Sequence, residues 1–285
     1  MPELEPSNPT DLDHEVAPDG PADGAEPEAP GTTPTRNAPD LADLADLADL
    51  ADASDSHPVP NAGQGSRLEA QGISVRRRRA WLLPPTTLHV LAGEVSLAVG
   101  EPDDRHTFLA LAMAGRLSGH EGRTLIDGVA DTRRLQRLVS LVDVVGVTAP
   151  EPVLPVRAVV GEELAMSGRR AWSRNVADWL EATQLRVDGD DLIGDLEPVA
   201  RVRLLTELAL LREPSFLVLA LPERFGALPA GWWQVAQDAA RRGPGVLVTA
   251  SPTAAAHLPG AANQFPIGAQ TAPAASAPTE KEASS

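Results

Sequence analysis

A helix that feeds directly into a wholly apolar strand, EPVARVRLLTELALLREPSFLVLALPERF from Glu197 to Phe225, constrains the fold more than any other stretch of this 285-residue chain. Val199, Val202, Leu204, Leu205, Leu208, Leu210 and Leu211 crowd one side of a helix. The charged Arg201, Arg203, Glu207 and Arg212 fall mostly on the other, and Pro214 ends it. Phe216 to Leu221 then stays apolar for the length of a strand, without alternation. A strand of that kind is buried on both faces, as inside a parallel sheet covered by helices. Together the two elements make half of an α/β unit.

Other stretches continue the theme. Gly93 to Gly115 reads as a short apolar strand (Val95 to Val99), a loop from Gly100 to Arg105 and an apolar helix from His106 to Ala114. Leu228 to Arg242 places Trp232, Val235 and Ala239 on one helix face, and Gly245 to Ala250 is a last buried strand. Leu68 to Val75 alternates like an edge strand and runs into four consecutive arginines, Arg76 to Arg79, which read as a solvated edge that blocks strand-to-strand aggregation. Arg137 to Val147 offers another apolar strand. Glu162, Glu163 and Leu164 open a helix with acids in its first turn, and Trp172 to Thr183 forms a second with Trp179 and Leu180 on its apolar side. Trp172 and Trp179 have two readings, exposed anchors for a partner or buried packing residues.

In the order and spacing of these elements, Leu68 to Ser251 resembles the ATP-binding cassette (ABC) ATPases of transporters. Leu196, Arg201, Arg203, the Leu210-Leu211 pair, Pro214, the apolar strand and Pro222 fall where that family joins its signature motif to its Walker B strand. The resemblance implies an α/β fold of the P-loop NTPase kind: a mostly parallel sheet flanked by helices, with a small helical subdomain at about 150–197. The domain would span 67–260, with residues 1–66 an acidic disordered tail and 261–285 a second disordered tail rich in Ala, Pro, Ser and Thr.

The reactive groups of that family are replaced. Glu197, Pro198, Val199 and Ala200 stand for the signature Ser-Gly-Gly-Gln, and Ala220 and Leu221 for the Walker B Asp-Glu pair. Thr148 to Pro152 holds no metal-sensing glutamine, Ser251 stands for the γ-phosphate histidine, and Arg77 lies closest to the adenine-stacking aromatic. His257, six residues beyond Ser251, reads as a surface residue.

A phosphate loop reads G-x-x-x-x-G-K-[ST], because glycines let backbone N–H groups close on the phosphates and the lysine neutralises them. Gly100 and Thr107 keep its ends, but Arg105 takes the second glycine's place and His106 the lysine's, with Asp103 and Asp104 inside the loop. A unit charge about 4 Å from a phosphate oxygen contributes roughly 4 kcal/mol at an effective dielectric of ~20. Exchanging a lysine for a carboxylate at comparable range turns attraction into repulsion. The chain's one lysine, Lys281, lies outside the domain.

Composition narrows the partners. Residues 1–66 hold fifteen acidic side chains against the single basic Arg36, while 67–265 hold 22 basic and 23 acidic ones, so most of the net charge of −16 belongs to the tail. A neutral domain with an acidic arm has no electrostatic footprint for nucleic acid. The Asp-Leu-Ala repeat from Asp40 to Asp52 reads either as a docking segment for a basic partner or as a solvated tail. Cysteine is absent, which excludes disulfides and thiolate chemistry, and the six histidines show no metal-ligand spacing. No apolar run reaches the roughly 18 residues a membrane span needs.

These observations point to a degenerate ABC-type nucleotide-binding domain, a pseudo-ATPase with no cofactor, cytoplasmic or held at the cytoplasmic face of the membrane by its partner. The partner would be a membrane permease subunit or an ABC ATPase subunit. Two readings stay beside it: an ATPase binding Mg-ATP through an unusual site, with Thr107 on the metal and Arg105 on phosphate, and a soluble regulatory scaffold using the acidic arm.

Overall fold

The computed structural model describes residues 65–258, 260 and 263–268; the acidic run with its Asp-Leu-Ala repeat lies outside the described residues. The architecture is two sheets with helices between and around them. Strands β1 (Arg67–Arg77), β2 (Ala80–Leu91) and β4 (Glu121–Ile126) form an antiparallel sheet in the order β2-β1-β4. Strands β5 (Val139–Val142), β6 (Phe216–Ala220), β7 (Gly245–Ala250), β3 (Val95–Val99) and β8 (Gln264–Pro266) form a parallel sheet in the order β5-β6-β7-β3-β8.

Side chains of the parallel sheet alternate between two apolar cores. Phe216, Val218 and Ala220 of β6, with Leu247 of β7 and Ala98 of β3, face α1 (Arg105–Met113) and the antiparallel sheet. Leu217 and Leu219, with Val246, Val248 and Leu97, face α5 (Pro198–Leu210) and α6 (Pro229–Ala240). Both faces are covered, as the unalternating apolar strands require. Four further helices stand among the described residues: α2 (Thr132–Leu138), α3 (Val156–Met166), α4 (Ser173–Thr183) and the short α7 (Pro252–Ala255). Helices α3 and α4 lie in sequence between β5 and α5 and join the core on the α5 side.

Several sequence expectations shift. The strand expected over Arg137 to Val147 is α2 followed by only four strand residues. Asp131 caps α2 by accepting from the backbone N–H groups of Arg133 and Arg134, and Asp143, at φ 54, ends β5. Glu162 and Glu163 lie in the second half of α3, because Pro155 already starts that helix in the chain before them. Of the tryptophans, Trp172 is 73% exposed and Trp179 packs on the core. Residues 264–266, expected within an unstructured tail, form β8 beside β3. Arg201, expected on the polar face of its helix, is buried.

Candidate functional site

In an open parallel sheet, ligands bind in the crevice beyond the carboxyl ends of the strands. Here that edge gathers Gly100 after β3, Asp143 after β5, Leu221 and the 3-10 turn Pro222–Phe225 after β6, and Ser251 after β7. Backbone and side-chain bonds lace these ends together. The Gly100 N–H donates to the Ala250 carbonyl at 3.1 Å, the Leu221 N–H to Thr249 O at 2.9 Å, and the Ser251 N–H to Glu223 Oε1 at 2.7 Å.

The loop from Gly100 to Arg105 is turned on itself. The Asp103 N–H donates to Glu101 O and the Arg105 N–H to Asp103 Oδ1, while Pro102 has no N–H at all. Arg105 grips Asp103 bidentately, Nε to Oδ1 and Nη2 to Oδ2, both at 2.8 Å. That contact holds the Asp103 carboxyl below its ordinary pKa and raises that of the guanidinium. A Cβ added to Gly100 would sit 3.0 Å from Arg105 Cδ and 3.0 Å from Ile267 Cβ, so a larger residue there would push those side chains aside by a few tenths of an ångström. Ile267, held by its N–H to Val99 O at 2.7 Å, closes one side of a cleft of about 400 Å³ that Gly100, Arg105, Pro252 and Phe265 also line.

His106 is buried, and its Nε2 meets the carbonyl oxygens of Gly100 at 3.2 Å and Glu101 at 2.9 Å. Carbonyls only accept, so the ring carries its proton on Nε2. Nδ1 is buried without a partner among the described residues. Burial pushes the His106 pKa down, against the opposing pull of the two carbonyls and of Glu223 and Asp103. The ring is therefore neutral at pH 7. Thr107 follows, part-buried in the first turn of α1.

No protein-family profile matches this chain, and no curated protein sequence does. Solved structures do match. A Pyrococcus furiosus ABC transporter ATP-binding protein superposes with a TM-score of 0.54 at 16% identity, covering 70% of this chain and 97% of its own. A nucleotide-free ATP-binding cassette from an ABC transporter superposes at 0.51 with 18% identity, covering 65% of this chain and 81% of its own. The fold is that of an ABC nucleotide-binding domain.

Within this ABC-type fold the structure brings Gly100, Arg105 and His106 together in the loop between β3 and α1, with Thr107 adjoining them. The sequence reading missed a buried ionic cluster at the same strand ends. Asp143 Oδ1 receives Arg201 Nη2 at 2.8 Å, and Arg224 Nη2 reaches Asp143 Oδ2 at 3.0 Å and its backbone oxygen at 2.7 Å. Both guanidinium carbons lie over the Phe225 ring, at 4.3 and 4.6 Å. Burial lowers the Arg224 pKa, with Asp143 opposing the shift. The available signal was the carboxylate in LVDVV, since a charge inside an apolar run needs a buried partner. The residue directly after β5 is Asp143, not a glutamine.

The depressed His106 pKa makes stability pH-dependent. The unfolded ring titrates near pH 6.5 and the folded one lower, so below about pH 6.5 the unfolded chain takes up a proton that the folded chain refuses. His106 should thus leave stability unaffected above that pH and erode it progressively as pH falls through and below it. Urea midpoints at about pH 7.5 and 5.5 should drop less for His106→Gln than for the parent. Equal drops would show that the buried ring is not responsible.

Proposed function

We propose that this chain is a subunit with the ABC ATP-binding fold whose nucleotide site is degenerate, and that it acts as a pseudo-ATPase through protein contacts. The observation that carries the reading is the loop at Gly100, whose polar groups are bonded to one another. The His106 ring bonds the loop carbonyls, the Arg105 charge is neutralised by Asp103, and Ile267 packs against Gly100. Three of the loop's N–H groups, those of Gly100, Asp103 and Arg105, already have acceptors.

A nucleoside triphosphate with its Mg²⁺ does not fit residues arranged this way. Phosphoryl transfer is catalysed by positioning and charge stabilisation. Ala220, Leu221 and Ser251 offer neither a carboxylate nor an imidazole at the strand ends; of the nearby Glu223, Oε1 is bonded to the Ser251 backbone and Oε2 is buried without a partner among the described residues. Mg-ATP binding through Thr107 and Arg105 is the weaker reading, because the Arg105 guanidinium is already paired.

The proposed partner is a membrane permease subunit, with a second ABC ATPase subunit as an additional one. Among the described residues no helix is long and apolar enough to cross a membrane. Supporting the partner is the run of exposed apolar side chains between β5 and α4: Val147, Val153, Met166 and Trp172. A groove of about 450 Å³, lined by Val147, Glu163, Met166 and Arg212, opens beside them.

The test uses the tagged full chain and detergent-solubilised membrane proteins, so that no bilayer is present. The parent should retain a multi-span membrane protein, and Met166→Ser/Trp172→Ser should lose it with an unchanged melting temperature. Recovery of soluble proteins alone would favour the regulatory scaffold instead.

A further inference from the structure

The hairpin joining β1 to β2 carries its charge at its tip. Arg76 pairs across the strands with Trp81 and Arg77 with Ala80, leaving Arg78 and Arg79 in the turn. Residues 76–81 are all exposed, and Trp81 is 43% exposed with the Arg76 guanidinium 5.1 Å above its ring. None of the four arginines forms an ion pair among the described residues, although Arg67 at the other end of β1 does, with Glu69.

Arg78 adds a second, independent observation. It holds φ 55, a left-handed conformation that glycine or asparagine adopts at lower cost. The chain keeps a fourth arginine at a position where backbone preference argues against it. Charged side chains account for a blocked strand edge, but not for the exposed indole set among them.

We propose that the tip Arg76–Trp81 is a contact point for an anionic phospholipid surface. Guanidinium groups pair bidentately with phosphate, and tryptophan settles at headgroup depth with its polar edge in water. A hairpin tip touches a plane at one point and adds the attraction of its clustered cations. Single-stranded nucleic acid would instead need a groove with successive stacking rings, and Trp81 is the one aromatic here. Charge acts over about 8 Å at physiological salt, so the local patch governs the contact despite the net charge of −16. The proposal rests on the hairpin alone and is independent of what the Gly100 loop does.

The test is sedimentation of the full chain with protein-free vesicles. The chain should bind vesicles containing about one-third phosphatidylserine and not phosphatidylcholine alone, and lose binding at about 0.5 M salt. Arg77→Gln/Arg78→Gln/Arg79→Gln should weaken binding about tenfold or more. Arg78→Gly, which relieves the turn, should weaken it less while raising the melting temperature. No binding to the anionic vesicles, equal binding to both vesicle types, an unchanged triple variant, or tighter binding to a single-stranded oligonucleotide would each overturn the proposal.

Discussion

Arg201→Met should destabilise the protein by about 3–5 kcal/mol, the range for breaking a buried ion pair from one side. Arg201 is 3% exposed and Asp143 6%, so the carboxylate left behind cannot regain water. Methionine keeps much of the volume and removes three contacts: those to Asp143 Oδ1 and Oδ2 and to the Ile193 carbonyl. Arg224 still reaches Oδ2, which leaves Oδ1 without its partner. In urea the midpoint should fall with an unchanged slope. Replacing both charges, Asp143→Leu/Arg201→Met, should cost less than the sum of the single changes by 1 kcal/mol or more, roughly the coupling of residues in one network. A loss below about 1 kcal/mol for Arg201→Met would show that the cluster is not what joins the strand ends to α5.

Trp232→Ala should cost a similar amount, about 3–5 kcal/mol, through the cavity it leaves. Trp232 is fully buried between α6 and the sheet, edge-on to Trp233 at 6.1 Å. Its neighbour Gly231 lets α5 come close: a Cβ there would meet Val199 Cγ2 at 2.6 Å, so the two helices cannot slide together to refill the space. The indole Nε1 has no hydrogen-bond partner among the described residues. Trp232→Phe therefore loses little besides volume and should cost less than about 1.5 kcal/mol. Denaturant unfolding of the three proteins checks both numbers, and equal losses for Ala and Phe would contradict the cavity explanation.

The strands of the parallel sheet were legible because burial on both faces leaves an uninterrupted apolar run. β3, β6 and β7 lie where the sequence places them, to within a residue. Helices α5 and α6 were legible from their periodicity. β2 was not, since Pro84 and Pro85 interrupt it; the structure tolerates them because β2 is the edge of its sheet, where a missing N–H breaks no ladder. β8 is three residues long and ends in Pro266, too short for any periodicity.

At the site, the loop and its substitutions were visible residue by residue, yet their geometry was not. Spacing places His106 where a lysine would stand. It cannot show the ring folded back onto the Gly100 and Glu101 carbonyls, nor Ile267, 167 positions after Gly100, packed against that glycine. Arg201 was misplaced because helical periodicity assigns a charged residue to solvent unless its partner is known. That partner, Asp143, lies 58 residues earlier.

The most direct measurement is the thermal unfolding of the purified full chain with and without Mg-ATP. At about 1 mM Mg-ATP, a site with a Kd of about 10 µM would add about 2.7 kcal/mol, a shift of several degrees in Tm. The proposed degenerate site, with its self-bonded Gly100 loop, predicts no shift and no turnover. A rise of that size, or steady release of phosphate, would contradict it.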